Sequence, residues 1–368
     1  MYLYDYDSIQ PVRGDAATRG NFKMAEIGFG IIGCGVIADF HANALAALAG
    51  KARLAGVCDV MPESARRFAE KHHTRVFASE KEMLACPEIE AVCICTPSGY
   101  HSASVINAAR AGKHIVCEKP LAINKAQLDE VCAVCRESGV CVSVISQNRY
   151  ADSIRRVKTA LDEGLLGKLV CADIYMKYHR SQEYYDSGAW RGTLAVDGGG
   201  ALMNQGIHGV DLLLYLAGNI KSVYAVAKTR SRNIEVEDVL SAVVEYENGA
   251  TGVIQATTAV FPGYPRRLEL NGDRGTVILN ETSIVRWDLE TSANEEDIVL
   301  MPMFQSGCST PTAISGDGHV RQLADAAECI RTGKTPLSGI EDGRRAVDVI
   351  LAIYESAKSG KRVEVRPS

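Results

Sequence analysis

Several features that mark other classes of protein are missing from this chain of 368 residues. It has no apolar run of the roughly 18 residues that a membrane-spanning helix needs. It has no strongly basic stretch, and its net charge of −5 argues against nucleic acid as a partner. It begins with polar and charged residues rather than a secretory signal, so we expect a cytoplasmic protein that does not contact membranes.

Cysteine is plentiful, but its placement does not indicate disulfides or a metal centre. The chain has 12 cysteines. Cys132 and Cys135 have the spacing of a redox or metal-ligand pair, yet they lie in a helix-like segment and no second pair follows. Cys93 and Cys95 fall in an apolar strand. We therefore predict small buried thiols in a reducing compartment and no structural metal.

The length of the chain fits two domains. Residues 1–24 lack periodicity and are predicted to form a flexible extension. Residues 25–146 alternate short apolar strands with helices, which predicts a doubly wound parallel sheet. Strands are predicted at 27–32, 53–58, 74–77, 91–95, 114–117 and 140–145, and helices at 62–72, 99–111 and 124–138.

The pattern changes after residue 146, and residues 147–368 are predicted to form the second domain. Asn248-Gly249 between two segments of alternating hydrophobicity predicts a hairpin of 239–246 with 250–258. Together these segments predict an α/β domain with a large, mostly antiparallel open sheet covered by helices on one face. Other strands are predicted at 221–230, 268–270, 276–279 and 283–289, and helices at 152–163, 319–332 and 341–358.

A glycine turn directly follows the first predicted strand. It reads Gly33-x-Gly35-x-x-Ala38 and leads into an alanine-rich helix predicted over 39–49. Gly33 permits a tight turn, Gly35 lets the backbone approach a pyrophosphate, and Ala38 lets the helix pack closely on the strand. The free N–H groups of the helix would then face the phosphates. The pattern predicts a dinucleotide site, although such glycines also occur in structural turns.

An acidic residue, Asp59, follows the second predicted strand. A carboxylate at this point can accept hydrogen bonds from the adenosine ribose of NAD. The next residues, Val60-Met61-Pro62, include no cation that could hold a 2′-phosphate. We therefore predict NAD rather than NADP as the cofactor, with a solvated aspartate as the alternative.

Glu118-Lys119-Pro120 follows another buried strand, at the edge of the predicted sheet where ligands bind. Pro120 stiffens the loop. A partly desolvated lysine can have its pKa lowered enough to act as a base. The segment therefore places Lys119 beside a nicotinamide and favours hydride transfer; a solvated loop lysine is the alternative.

Three glycines and a histidine mark a second candidate site within residues 197–211. The glycines at 198–200 precede a predicted helix, so its start could approach a ligand closely. Asn204 and His208 are four residues apart, which predicts that they share a helical face, and Asp211 could orient the imidazole. A histidine can donate to, or accept from, an alcohol that becomes a ketone. A core histidine that is hydrogen-bonded locally is the alternative.

Together these motifs resemble the Gfo/Idh/MocA oxidoreductases, which include glucose–fructose oxidoreductase and inositol dehydrogenase. The resemblance covers about residues 26–365. It implies a Rossmann domain that binds NAD, followed by an α/β domain whose open sheet often forms an oligomer interface. A homo-oligomer, either a dimer or a tetramer, and a small sugar-like substrate are therefore expected.

The resemblance also implies roles for individual residues. Lys119 matches the catalytic lysine, His208 the catalytic histidine, and Glu118 a contact near the nicotinamide ribose. Some members carry an aspartate where this chain has Asn204; an amide cannot take a proton, so the acid–base role is expected of Lys119 and His208. The residues predicted to bind the cofactor are Gly33, Gly35, Val36, Ile37, Asp59, Thr96, Pro97, His101, Glu118, Lys119 and Gln147.

The substrate pocket is expected between the two domains. Aromatic faces and fork-shaped donors suit sugars, which offer C–H faces and rings of hydroxyls. Arg149 or Arg191 could also pair with a carboxylate or phosphate of the substrate. For Tyr150 and Tyr264 ordinary packing is the alternative. The residues predicted to bind substrate are Asn204, Arg149, Tyr150, Trp190, Arg191 and Tyr264.

These observations predict an NAD-dependent dehydrogenase that oxidises a secondary hydroxyl of a sugar, glycoside or cyclitol, or reduces the ketone. Lys119 would take the hydroxyl proton, His208 would hydrogen-bond the same oxygen, and Asn204 would fix the substrate. Two alternatives stay open. One is an enzyme that holds NAD tightly, oxidises a sugar transiently and cleaves its glycosidic bond by elimination. The other is a regulator that binds NAD without catalysis.

Overall fold

Two sheets and the helices packed on them make up the part of the chain described by the computed structural model, residues 26–290 and 316–365. The extension predicted at 1–24 lies outside these residues. Within the two described ranges, no helix combines the length and the apolar character that crossing a membrane requires.

The first sheet is parallel, as predicted. Its strands are β1 (Ile27–Ile32), β2 (Ala52–Cys58), β3 (Ala91–Ile94), β4 (His114–Cys117) and β5 (Val142–Val144). Their order in the sheet is β2-β1-β3-β4-β5, and every neighbouring pair is parallel. The strands are short and apolar because helices cover both faces of the sheet.

Five helices accompany this sheet: α1 (Val36–Ala47), α2 (Pro62–His72), α3 (Glu80–Ala85), α4 (His101–Arg110) and α5 (Lys125–Ser138). The helices predicted at 62–72, 99–111 and 124–138 are confirmed to within two residues at each end. The strand predicted at 74–77 is wrong. Only Val76 bridges to β2, through Val57, because Ser79 already caps the start of α3.

The second sheet has eight strands and is open. They are β6 (Leu169–Lys177), β7 (Ile220–Lys228), β8 (Val239–Tyr246), β9 (Thr251–Thr257), β10 (Arg267–Gly272), β11 (Gly275–Asn280), β12 (Ser283–Leu289) and β13 (Val363–Glu364). The order is β12-β11-β10-β6-β9-β8-β7-β13, with β6 and β9 parallel and the other pairs antiparallel. This confirms the predicted mostly antiparallel sheet.

The remaining helices join the two sheets into one body. They are α6 (Asp152–Asp162), α7 (Gln182–Asp186), α8 (Ile207–Ala217), α9 (Asp317–Thr332) and α10 (Ile340–Ser359). Helices α8 and α10 pack on one face of the second sheet, while α9 packs on α1 of the first. The segment before α10 also borders β5, where the Val144 N–H donates to the Ser338 carbonyl (3.0 Å). This segment therefore lies along the β5 edge of the parallel sheet.

Candidate active site

The glycine turn between β1 and α1 leaves open space at its second glycine. Gly33 has a left-handed backbone (φ +91°), and a Cβ there would lie 2.9 Å from the Cys95 carbonyl. A Cβ at Gly35 would meet no atom within 4 Å. Val36 is 64% exposed and Ile37 is half-buried. The start of α1 therefore faces free space, as a pyrophosphate site requires.

Asp59 ties the end of β2 to this turn. Its carboxylate accepts hydrogen bonds from the N–H groups of Cys34 (2.7 Å) and Met61 (2.8 Å). An ionised carboxylate has about four lone-pair sites, so its oxygens can still accept from ribose hydroxyls. Asp59 thus stands where a ribose acceptor was predicted and also shapes the turn, a role that we did not predict.

His101 ties the loop after β3 to the loop after β4. Its Nδ1 lies 2.7 Å from the carbonyl oxygen of Pro120, and its Nε2 lies 2.7 Å from that of Thr96. The prediction that His101 contacts the cofactor is therefore corrected, because the ring is buried and both nitrogens face the protein. Pro97 is half-buried, and the buried Thr96 hydroxyl has no hydrogen-bond partner among the described residues, so it is available to a ligand.

Arg149 belongs to a buried ion-pair cluster rather than to a pocket wall. Its Nε and Nη2 donate to the Asp211 carboxylate (2.9 and 2.6 Å), and its Nη1 lies 3.1 Å from Asp342. It is only 2% exposed. The predictions that Arg149 binds substrate and that Asp211 orients His208 are therefore corrected, because these charges compensate each other in the interior.

Tyr150 is also an interior residue. It is buried, and its hydroxyl donates to Asp325 of α9 (2.8 Å). Packing therefore replaces the predicted contact with substrate. Gln147 begins the same turn, and its Oε1 is buried without a hydrogen-bond partner in the described ranges. It stays a candidate for binding the cofactor.

Lys119 reaches from the loop after β4 to the segment before α8. Its Nζ donates a hydrogen bond to the carbonyl oxygen of Asn204 (2.8 Å). Burial lowers the pKa of Lys119; the Glu118 and Asp197 carboxylates oppose this shift, and Arg180 adds to it. Burial of this kind makes a lysine a better base. The surroundings are those predicted for a catalytic lysine and not those of a solvated one.

The Glu118 carboxylate lies between two buried histidines. His41 of α1 places its Nε2 3.0 Å from Oε1, and His319 of α9 places its Nε2 3.7 Å from the same oxygen. The other oxygen accepts from the Lys119 N–H (3.2 Å). The three side chains have ligand atoms within 4.8 Å of one another, a spacing that a metal ion could bridge. The 3.0 Å contact, however, has the length of a hydrogen bond.

The glycines at 198–200 serve packing within the protein. A Cβ at Gly198 would lie 2.3 Å from Ile123, and one at Gly200 would lie 1.9 Å from the Glu237 carbonyl oxygen. The Glu237 carboxylate also accepts from the N–H groups of Gly200 (2.8 Å) and Leu202 (2.9 Å). The prediction that this helix start approaches a ligand is corrected, since a buried carboxylate already takes its N–H groups.

Asn204 lies in a π-helical turn, Ala201–Gly206, that continues into α8. A π turn is wider than an α turn, so Asn204 and His208 do not stack as residues four apart in an α-helix do. The Asn204 amide nitrogen donates to Asp197 (2.8 Å), and its side-chain oxygen accepts from Gln205 (2.7 Å). One amide N–H is left for a substrate, and the main observed role of Asn204 is to hold Lys119 through its backbone.

His208 of α8 shares a small cavity with Lys119. The cavity has a volume of about 10 Å³, and Ser146 and Asp211 also line it. Burial lowers the pKa of His208 well below its usual value, and Lys119 and Arg266 add to the shift. The ring is therefore neutral and can donate or accept a hydrogen bond. The structure thus brings the two predicted catalytic side chains together.

Trp190 and Arg191 connect to the same group of residues through Tyr184. Arg191 donates to the Tyr184 hydroxyl (2.7 Å) and stacks on the Trp190 ring at 4.5 Å. Gln205, next to Asn204, also reaches that hydroxyl (3.4 Å). Tyr264 is 55% exposed in the loop between β9 and β10 and lies outside this hydrogen-bonded group.

Several residues at the site were not predicted. Asp197 precedes the glycines, and Arg180 donates to Gln205 (2.9 Å), but neither forms part of a recognisable motif. Three further residues that were not predicted are buried and polar: His41, Glu237 and His319. Buried polar side chains are uncommon and usually have a hydrogen-bond partner.

Two family models match the chain. One is described as the oxidoreductase family, NAD-binding Rossmann fold, and matches residues 27–146. The other is described as the GFO/IDH/MocA C-terminal domain and matches residues 154–278. The first covers the parallel sheet and the second covers most of the open sheet.

Similar proteins include several dehydrogenases. One is the WlbA dehydrogenase from Bordetella pertussis, whose crystal structure is in complex with NADH and UDP-GlcNAcA. Its sequence is 32% identical to this chain, and the structures match with a TM-score of 0.84 over 94% of this chain and 100% of that one. The D-glucoside 3-dehydrogenase of Escherichia coli (strain K12) is 26% identical over 360 residues, 91% of this chain and 96% of the relative. The scyllo-inositol 2-dehydrogenase (NAD(+)) of Bacillus subtilis (strain 168) is 26% identical over 342 residues, 91% of this chain and 95% of the relative.

Proposed function

Because the chain belongs to the GFO/IDH/MocA oxidoreductase family, we propose that it exchanges hydride between NAD and a secondary hydroxyl of a sugar, glycoside or cyclitol. It is an NAD-dependent oxidoreductase of the sugar dehydrogenase type. The reaction runs as oxidation of the alcohol or as reduction of the ketone.

The meeting of Lys119 and His208 in one cavity is the observation that supports this function most strongly. Lys119 comes from the domain that matches the NAD-binding model, and His208 comes from the domain that follows it. Both lie at the carboxyl edge of the parallel sheet, where a nicotinamide is presented in folds of this type. A substrate oxygen between them would contact a base and a hydrogen-bonding imidazole at once.

The residues present fit NAD, which supplies the hydride acceptor when it is bound. The free space at Gly35 leaves room for a pyrophosphate at the start of α1. Asp59 has acceptor capacity left for ribose hydroxyls. The Thr96 hydroxyl and the Gln147 side-chain oxygen are buried and lack hydrogen-bond partners within the described residues, and a cofactor would provide them.

In the proposed oxidation, neutral Lys119 removes the proton of the substrate hydroxyl. The hydride leaves the carbon that bears this hydroxyl and would pass to NAD. The lysine becomes charged, and its hydrogen bond to the Asn204 carbonyl then strengthens. His208 stays neutral because of its burial and hydrogen-bonds the same substrate oxygen. Reduction of the ketone follows the reverse path, with Lys119 as the acid.

Trp190 and Arg191 are proposed to hold the rest of the substrate. The stacked Arg191 guanidinium is a fork-shaped donor that suits hydroxyls or an acidic group. The WlbA dehydrogenase was crystallised with UDP-GlcNAcA, a nucleotide-linked sugar acid. The substrates to be tested should therefore include nucleotide-linked sugar acids besides free sugars, glycosides and inositols.

The decisive experiment screens this panel with NAD and follows the absorbance of reduced nicotinamide. Accumulating NADH with a ketone product supports the dehydrogenase, whereas cleavage of a glycoside without net NADH supports the elimination enzyme. For the active substrate, Lys119→Ala should lower kcat by about 10²–10⁴-fold and leave NAD affinity within a few fold. Lys125→Ala, an exposed lysine beyond the same loop, is the matched control. NAD binding without any turnover would favour the regulator.

The oligomer, the compartment and the domain limits at 25–146 and 147–368 are also proposals. Val170, Tyr224, Val226 and Val243 are between 49% and 57% exposed on strands of the open sheet, which supports a homo-oligomer through that face. Light scattering on wild type and Val243→Arg tests this. The described cysteines are unpaired, which supports a reducing cytoplasm.

A further inference from the structure

The contacts around Glu118 form a closed cluster within the protein. Glu118 follows β4, His41 comes from α1 and His319 comes from α9. The three residues are 5%, 0% and 0% exposed, respectively. They therefore bring three distant segments of the chain to one buried carboxylate, directly beside Lys119.

A carboxylate in such surroundings needs hydrogen-bond donors. Removing an ionised group from water is costly unless it is paired or hydrogen-bonded. Burial alone would raise the pKa of Glu118, but the His319 imidazole, 3.7 Å away, and the hydrogen bond from His41 hold this pKa well below its usual value. Burial lowers the pKa of His41, so it donates as a neutral imidazole through Nε2. His41 thus stabilises the carboxylate without carrying a charge itself.

The two histidines are also fixed relative to each other. Their rings meet edge to face with centroids 5.6 Å apart, and Phe40 lies 5.6 Å from the His319 ring. Helices α1 and α9 pack directly on one another. The position of the Glu118 carboxylate is therefore set by the helix that follows the glycine turn and by a helix near the end of the chain.

We propose that His41 and His319 are positioning residues for the reaction, which hold the Glu118 carboxylate in a fixed orientation beside Lys119. This proposal rests on the proposed function, in which Lys119 is the base, and on the expected contact of Glu118 with the nicotinamide ribose. Without its donors the buried carboxylate takes up a proton or turns away. Either change removes an acceptor from the ribose, and protonation also removes the negative charge beside Lys119.

The first test measures NADH affinity from nicotinamide fluorescence in His41→Phe and His319→Phe. Loss of a hydrogen bond to a charged group weakens an interaction by about 10-fold or more, so the NADH dissociation constant should rise about that much in His41→Phe. The rise should be smaller in His319→Phe, which loses a 3.7 Å contact rather than a hydrogen bond. His41→Gln and His319→Gln should stay within about threefold of wild type, because an amide N–H can replace the imidazole N–H. His114→Gln, at the opposite end of β4, is the control.

The second test asks whether the histidines act through Glu118. If they do, His41→Gln and His41→Phe should have no further effect on NADH affinity once Glu118→Gln is present. Additive losses would overturn the proposal, and so would Phe variants that bind NADH as tightly as wild type. If a Phe variant does not fold, Gln variants that also lose about 10-fold in affinity would contradict it, because the amide donor would have failed to rescue.

Two further outcomes bear on a metal site at these histidines and on the proposed function. Loss of activity on dialysis against a chelator, with recovery on adding Zn²⁺, would overturn the proposal, because the histidine nitrogens would then be metal ligands. NADH binding needs no sugar substrate. If no substrate is ever turned over, the proposed function fails. The NADH dissociation constants of the variants still decide the role of His41 and His319.

Discussion

Lys119 depends electrostatically on Asp197, a carboxylate that belongs to no motif. Both Glu118 and Asp197 counter the effect of burial on the Lys119 pKa. As the proposed base, Lys119 works when deprotonated, so kcat/KM for oxidation should rise as pH rises through its pKa. Asp197→Asn removes one stabilising charge, lowers that pKa further and should move the acidic limb of the profile to lower pH. A pH–rate profile measures the shift.

Asp186→Asn provides the comparison for this profile. Asp186 is an exposed residue at the end of α7, and its replacement removes the same charge from the surface. Its acidic limb should coincide with that of wild type. If Asp197→Asn behaves in the same way, or shifts the limb to higher pH, Asp197 does not act on Lys119.

Asp59 should determine the choice between NAD and NADP. Its carboxylate already orients the turn, and a 2′-phosphate would bring a second negative charge to it. Such a like-charge contact costs about 1–3 kcal/mol, which is roughly 5–150-fold in affinity. Titrating both cofactors should show weaker NADP binding by this factor. Asp59→Asn should reduce the difference between the affinities for NAD and NADP. Tighter binding of NADP to the wild type would contradict the assignment.

The candidate site was predictable where a residue belongs to a motif with a known physical reason. Lys119 and His208 belong to such motifs, and the structure places them together. Arg149 and Tyr150 were misjudged because nothing in the sequence reveals Asp211 or Asp325 as their buried partners. Side chains that pair across long stretches of sequence are fixed by tertiary packing, which no local pattern records.

Two glycines at helix starts should respond in opposite ways to a single added methyl group. A Cβ at Gly35 meets open space, and its backbone (φ −82°) suits any residue. Gly35→Ala should therefore leave the melting temperature unchanged and weaken NADH binding by about tenfold or more, because the methyl enters the pyrophosphate space. Thermal unfolding and NADH titration separate the two effects.

Gly200→Ala is the counterpart in the turn before α8. Its Cβ would lie 1.9 Å from the Glu237 carbonyl oxygen, so the backbone must move. Overpacking of this kind typically costs about 1–3 kcal/mol of the unfolding free energy. The variant should melt at a lower temperature than wild type. A normal melting temperature for Gly200→Ala, or a much lower one for Gly35→Ala, would contradict this packing.

Helices and strands with strong local signals were predicted well, and the others were not. Pro62 and His72 bound a helix that was predicted to the residue, because apolar periodicity and an N-terminal proline agree there. Strand β6 was missed although Ala172, Ile174 and Met176 alternate with more exposed residues. The π turn before α8 could not be foreseen, since the residues that hydrogen-bond its backbone, Glu237 and Lys119, are distant in sequence.

The last prediction concerns the joint between the two sheets. Arg149 lies in the turn that follows β5 of the first sheet, Asp211 is in α8 and Asp342 is in α10, so one buried cation ties that turn to two helices packed on the second sheet. Burial raises the pKa of Asp211, and Arg149 counters the shift. Arg149→Met leaves a buried carboxylate uncompensated and should lower the unfolding free energy by about 3–5 kcal/mol. Denaturant unfolding measures the change.

Two variants separate this effect from a simple loss of charge. Arg149→Met combined with Asp211→Leu removes both charges, and it should recover much of the lost stability because buried ion pairs can be replaced by apolar side chains. Asp342 keeps other partners, the Gly339 N–H (2.9 Å) and Arg345. Arg66→Met breaks an exposed pair with Glu63 and should leave unfolding unchanged. If Arg149→Met proves as harmless as Arg66→Met, the Arg149–Asp211–Asp342 cluster does not stabilise this joint.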